Sequence, residues 1–323
     1  MGRHGIQPLS PRLCLLGLLA LSPLWAWAET DAKAWLEQMS QAMTQLNYEG
    51  ELVYQHGDHI KVLHLIHTVR QGQERERLIS LNGPSREVVR DQDTVRCVLP
   101  ASQAISVDRR GGYGFPSLRP LWVRDLSTFY RLRLGGQARV AGRQARRIDI
   151  EPLDGYRFGH RLYLDEEYRL PLKQEVLDAQ GQRVSLIMYS RLRVDPALPF
   201  AASQPSPQSQ GYSLIEYKPR QPVAKEGRDS WGLSRLPPGF QISHRDVRKT
   251  EEGQGMEHLL LSDGLASVSL YVEHADGQRP FAGPSRMGAV SLFGRHVEGH
   301  QIVVVGEVPE MTTRFIAEAV QFP

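Results

Sequence analysis

Two periodicities follow one another along this chain, and their order predicts its architecture. From Asp31 to Leu46, the residues Trp35, Leu36, Met39, Ala42, Met43 and Leu46 fall on one stripe at helical spacing, with Thr30 or Asp31 placed to cap the helix. The polar side lacks the lysine and arginine cluster of a membrane-surface helix, so the stripe is expected to pack on a sheet. From Glu49 to about Asp195 the period shortens to that of strands. The predicted strands are Leu52–Tyr54, Ile60–Val69, Glu74–Leu81, Arg86–Arg90, Thr94–Leu99, Tyr130–Leu134, Gln137–Val140, Ala145–Ile150, Arg161–Leu164, Leu172–Leu177 and Arg183–Val194. Turn residues such as Gln71-Gly72, Asn82-Gly83-Pro84, Gly135-Gly136 and Asp154-Gly155 separate them. Hairpin-length connections imply an antiparallel sheet. A long sheet of this kind with a single helix curls around that helix or around a ligand.

Pro196 to Ser213 breaks the pattern with Pro196, Pro199, Pro205 and Pro207 among alanine, serine and glutamine, and reads as an extended linker. A second unit is expected from Leu214 to Pro323, smaller and strand-rich. Hairpins are predicted about Ser262-Asp263-Gly264 and Glu298-Gly299, followed by a final helix capped by Thr312 or Thr313. Trp231 and Phe240 are expected in its core. The fold class is therefore α+β, in two units, of which 29–195 is the larger.

The amino terminus changes the picture of location. Arg3 and Arg12 precede the apolar run Leu13–Leu21, Pro23 breaks it, and Ala26-Trp27-Ala28 offers small residues at the −3 and −1 positions of a signal peptidase site. Residues 1–28 are read as an export signal, with the mature protein starting at Glu29 outside the cytoplasm. The formal charge of +3 falls to +1 once Arg3 and Arg12 are lost, too little for a non-specific nucleic-acid binder. No later stretch approaches the ~20 apolar residues of a membrane span. Cys14 leaves with the signal, so Cys97 remains alone, without an intramolecular disulfide partner, on a strand face with Val95 and Leu99.

Little else carries chemistry. His56, His59, His64 and His67 cluster, but His64 and His67 face opposite sides of a strand and no acidic or cysteine set completes a metal site. No nucleophile elbow, His-Glu-x-x-His pair or phosphate-cradling glycine loop is present, so neither a cofactor nor catalytic residues are assigned, although the members of a triad need not be adjacent. Arginine is the one excess, crowding from Arg109 to Arg147. It reads either as a solvated outer sheet face balanced by acids or as an anion-binding surface. The loop Asp108–Asp125 is too long for a turn and combines Arg109, Arg110, Tyr113, Phe115, Arg119 and Trp122, the candidate contacts for a lipid headgroup or an acidic peptide.

The order of short motifs resembles the RseB/MucB family, periplasmic regulators of an envelope-stress sigma factor of the sigma-E/AlgU type. The resemblance runs from Asn47-Tyr48-Glu49-Gly50 through Tyr130-Arg131-Leu132-Arg133-Leu134 and Arg161-Leu162-Tyr163-Leu164-Asp165 to Leu170-Pro171-Leu172-Lys173. It continues in Leu236-Pro237-Pro238-Gly239-Phe240, Ser262-Asp263-Gly264-Leu265 and Val304-Val305-Gly306-Glu307-Val308-Pro309. Tyr168-Arg169 departs from the family's expected Thr-Gly, so that turn must be built differently. The resemblance implies a LolA/LolB-like first domain, an unclosed antiparallel barrel around helical plugs, and a second domain that helps hold an anti-sigma factor. It further implies that the protein shields the periplasmic part of an RseA/MucA-type membrane anti-sigma factor from proteolysis, and that misplaced lipid or lipopolysaccharide relieves the block. The rival is a periplasmic lipid or lipoprotein carrier, which does not require a second domain.

Overall fold

The computed structural model describes residues 1–2, 24–91, 94–108, 126–206, 209, 211–217, 231–249, 255–275 and 281–322. Helix α1 spans Leu24–Gln45. It runs straight through Thr30 and Asp31, so neither is the cap that the sequence suggested. Leu24–Ala28 contains no glycine or proline to stop a helix, and the turns on either side join into one. The apolar stripe packs as expected: Ala32, Leu36, Met39, Ala42 and Met43 are buried in the first core, with Trp35 and Leu46 against its edge.

That core belongs to a sheet of twelve strands. In chain order they are β1 (Tyr48–His56), β2 (His59–Arg70), β3 (Gln73–Ser80), β4 (Glu87–Asp91), β5 (Thr94–Leu99), β6 (Ala104–Asp108), β7 (Tyr130–Val140), β8 (Arg143–Pro152), β9 (Gly159–Asp165), β10 (Pro171–Leu177), β11 (Arg183–Val194) and β12 (Ser213–Tyr217). Their spatial order is β12-β6-β5-β4-β3-β2-β1-β11-β10-β9-β8-β7, antiparallel throughout except where β12 lies parallel to β6. One short helix buries its stripe against residues from across this sheet, including Leu63, Leu78, Leu132, Ile148 and Leu164. A flat sheet of twelve strands would span far more than a helix can touch, at ~4.8 Å per strand. The sheet therefore curls around α1, and the helix-facing side is the concave one.

The proline-rich stretch lies along this sheet rather than away from it. A helical turn at Phe200–Ser203 packs on β2, where the Ser203 hydroxyl meets that of Thr68 at 2.6 Å. Phe200 sits under the Arg75 guanidinium at 4.4 Å, and the Ser206 amide donates to Glu87. Leu214 follows within β12, so the strand that the sequence assigned to the second unit completes the first sheet.

The second unit has its own core. Its strands are β13 (Gly232–Leu233), β14 (Gln241–Lys249), β15 (Gly255–Ser262), β16 (Ser267–His274), β17 (Gly283–Met287), β18 (Val290–Val297), β19 (His300–Gly306) and β20 (Val320–Gln321), with α2 at Glu310–Glu318. Six form an antiparallel sheet in the order β14-β15-β16-β19-β18-β17, and β13 pairs with β20. Trp231 and Phe240 are buried there, as read from the sequence. Pro309, not a threonine, stands at the α2 amino terminus. Thr312 and Thr313 lie in its first turn, their hydroxyls donating to the carbonyls of Tyr156 and Glu310, because buried acceptors outcompete a capping role. No described helix is long and apolar enough to cross a membrane.

Since α1 is the only described helix under the first sheet and Met39 is fully buried in it, Met39→Ala is expected to cost roughly 2–5 kcal/mol in urea denaturation.

Candidate functional site: the concave face and the seam between the units

Strand parity decides which side chains look into the concave face. Leu52, Tyr54 and His56 alternate along β1 onto the helix side, and Leu162 and His160 do so along β9. The pairings His56–Ser185, Ser185–Val176, Val176–His160 and His160–Ile150 then form one row across β1, β11, β10, β9 and β8. The whole row is buried, although it lies at strand ends beside the β1–β2 and β10–β11 turns. The second unit covers it. Ala289 is fully buried against Phe158 and Val176, and Gly288 stands over Gly57 and the His56 ring.

Beside this row, one carboxylate joins the two units. Asp263, in the turn between β15 and β16, accepts the amides of Leu265 and Ala266 on Oδ1 at 2.9 and 2.7 Å. Its Oδ2 accepts the Tyr130 hydroxyl at 2.8 Å and lies 3.4 Å from Nε of Arg157. Arg157 has no exposed side-chain surface. It also meets Asp154 at 3.3 Å and donates to the Pro238 carbonyl. Its guanidinium lies 4.7 Å from the Phe129 ring centroid and 5.4 Å from those of Tyr130 and Phe240, so aromatic faces share the cation with the carboxylates. Tyr156 completes the seam with its carbonyl on Thr312 and its ring edge-on to Phe315 at 5.4 Å.

Burial sets the protonation of the groups here. It pushes the Tyr130 hydroxyl far above the ordinary tyrosine range, reinforced by the adjacent Asp263 charge. Burial, followed by Glu307, raises Tyr54 to about 12, and burial alone raises Glu307 to about 7. It lowers His56 and takes His160 down to about 4, with Asp263 pulling the other way. Both histidines are therefore neutral members of the seam at neutral pH.

The helix on the other side of the concave face is tethered at the turn that the sequence flagged. Arg169 adopts φ +64°, the left-handed conformation that glycine takes readily. Its guanidinium lies 4.0 Å from the Trp35 ring centroid and Nε donates to Gln38 at 2.8 Å. The turn keeps a left-handed residue and offsets its strain by contact with α1. The buried Asp165 carboxylate orders the same turn by accepting the amides of Glu167 and Tyr168.

The candidate contacts Arg109, Arg110, Tyr113, Phe115, Arg119 and Trp122 lie outside the described residues. Most of the described arginines that follow them meet acids. Arg131 and Arg133 flank Glu151, Arg143 meets Asp165 and Glu167, Arg146 meets Glu166, and Arg147 meets Asp149. Cys97 is buried in the first core, where its Sγ accepts from Arg86 Nε at 3.0 Å. Among the described residues no cluster of metal-binding side chains is present.

One triad-like array does emerge from residues scattered in sequence. His258 lies 3.0 Å from Asp246 through Nδ1 and 3.1 Å from the Ser269 hydroxyl through Nε2. The serine is only 6% exposed and the histidine is stacked under Tyr271 at 4.6 Å, so the array ties β14, β15 and β16 together.

Arg157, Asp263, His160 and Tyr130 were not singled out from the sequence, yet Tyr130, Pro238 and Asp263 lie inside short motifs on which the family resemblance rested. Those fragments, remote in sequence, meet at the seam. Asp263→Asn leaves a buried cation with one weaker partner, and should cost roughly 3–5 kcal/mol in urea denaturation. Tyr130→Phe removes one hydrogen bond to a charged group and should cost about 1.5–3 kcal/mol. The depressed pKa of His160 contributes stability above pH 6.5 that is lost as pH falls toward 4. His160→Leu should therefore lose about 2 kcal/mol less than the parent between pH 7 and pH 5.

Two family models match the chain in order: the MucB/RseB N-terminal domain over residues 31–208 and the MucB/RseB C-terminal domain over 225–321. The sigma factor AlgU regulatory protein MucB of Pseudomonas aeruginosa is 29% identical over 315 residues, covering 96% of each chain. The sigma-E factor regulatory protein RseB of Escherichia coli K12 is 27% identical over 308 residues, covering 92% of each. Among solved structures, MucB in complex with MucA(peri) superposes with a TM-score of 0.72 at 27% identity, covering 90% of this chain and 99% of that one. The Pseudomonas aeruginosa MucA/MucB complex gives 0.70 at 28% identity with the same coverage. With both units matched in sequence and the two-unit arrangement matched in three dimensions, this chain belongs to the MucB/RseB family.

Proposed function

We propose that this protein is a periplasmic sigma-factor regulator that binds the periplasmic segment of a membrane anti-sigma factor and shields it from regulated proteolysis. Mislocalised lipid or lipopolysaccharide binds the concave face of the first sheet and weakens that hold. The observation that carries the reading is the seam: two units, each with its own core, are locked by the buried Asp263–Arg157–Tyr130 cluster across the end of the concave face. The relatives with this arrangement are named as sigma-factor regulators, and MucB has been solved with MucA(peri). The export signal read from the amino terminus supports the same reading.

The switch is a competition between ligands. Lipid relieves inhibition only if it binds the free regulator better than the anti-sigma-bound one, and by linkage the anti-sigma segment must then weaken lipid binding by the same factor. A lipid or lipoprotein carrier would use the same concave face without this coupling.

Mature protein is expected to retain the periplasmic segment of its organism's anti-sigma factor in a pull-down, and to release it on addition of lipopolysaccharide fragments. Lipid binding with no affinity for the segment would move the assignment to a carrier. Charge reversal at Arg109, Arg110 and Arg119 should lower the affinity for at least one of the two ligands in calorimetric titration, and unchanged affinity for both would remove that loop from the site.

A further inference from the structure

We infer that the turn Met287–Gly288–Ala289, between β17 and β18, is a displaceable stopper on the concave face of the first sheet, and that an acyl chain enters there only when the turn lifts. The inference rests on the lipid reading above and adds to it the element that controls entry. Three observations converge on it.

The turn sits where the concave face would otherwise open. The row His56–Ser185–Val176–His160 continues the apolar interior lined by Leu52, Ile187, Leu162 and Ile150, so a chain entering at this end meets hydrocarbon beyond the first layer. Ala289 closes that end with no exposed surface, against Phe158 and Val176.

The fit is close but the anchorage is slight. Gly288 has φ +57°, and a Cβ there would stand 2.7 Å from the Gly57 nitrogen and 3.0 Å from two His56 ring carbons, so only glycine lets the turn seat. Yet β17 is an edge strand, hydrogen-bonded to β18 alone, and four of its five residues are exposed.

The covered surface is also imperfectly satisfied. Nδ1 of His160 is buried with no hydrogen-bond partner among the described residues, whereas the His56 ring meets the Met287 backbone. Lifting the turn returns the His160 nitrogen to water, which offsets part of the lost contact. A permanent interface gains nothing from such an orphaned group, whereas a removable cover is made easier to remove by it.

The test uses two variants that keep the turn from seating. Mature parent, Gly288→Ala and Ala289→Glu proteins are titrated with a dansyl-labelled fatty acid. Gly288→Ala sets a Cβ 2.7 Å from the Gly57 nitrogen, and Ala289→Glu sets a charge between Phe158 and Val176. Each should expel the turn and tighten probe binding at least threefold over the parent. Affinities equal to that of the parent for both variants overturn the stopper while leaving the lipid reading intact. No binding by any form, the two variants included, overturns both.

Discussion

The arrangement of the two units depends on one carboxylate. Asp263 closes its own hairpin turn through two backbone amides with Oδ1 and uses Oδ2 to hold Tyr130 and Arg157 of the other unit. A buried arginine with no exposed side chain is tolerable only when carboxylates, a carbonyl and aromatic faces all surround it, and those groups come from both units. Separating the units would strand the charge. The seam is thus specified by polar satisfaction more than by apolar area, and it fixes where the second unit lies across the end of the first sheet.

That position gives the concave face its character. On one side α1 fills it with Leu36, Met39 and Met43, held by the Arg169 contacts to Trp35 and Gln38. At the end, the Met287–Ala289 turn covers a row of buried polar and apolar side chains. A sheet curled over apolar surface, with a tethered helix within and a removable cover at its end, suits a protein that exchanges one ligand for another. The outer face suits it less, because its arginines are already paired with neighbouring acids in solvent, where such pairs contribute little.

Much of the fold was legible in residues alone, since period and turn chemistry are local. The β2, β5 and β11 spans and both hairpins of the second unit fall where alternation and glycine turns placed them. The failures have physical causes. Strand β6, Ala104–Asp108, is short, and β12 lies parallel to it, a pairing that hairpin logic does not supply. Thr312 and Thr313 looked like caps, but acceptors from Tyr156 and Glu310 claimed their hydroxyls. The sequence shows the departure at Tyr168-Arg169, yet only the proximity of α1 explains how a non-glycine holds φ +64° there. The Asp246–His258–Ser269 array was invisible because its members come from three strands.

The sequence by itself determined the helix stripe, the alternation of the strands, the two-unit order and the family resemblance, because each rests on spacing within short windows. Only the tertiary structure decided that the sheet curls around α1, that the proline-rich stretch lies against it, and that Arg157 belongs with Asp263. Those are contacts between residues far apart in the chain. They are selected by burial of charge and by the closeness of glycine backbones, neither of which a linear pattern records.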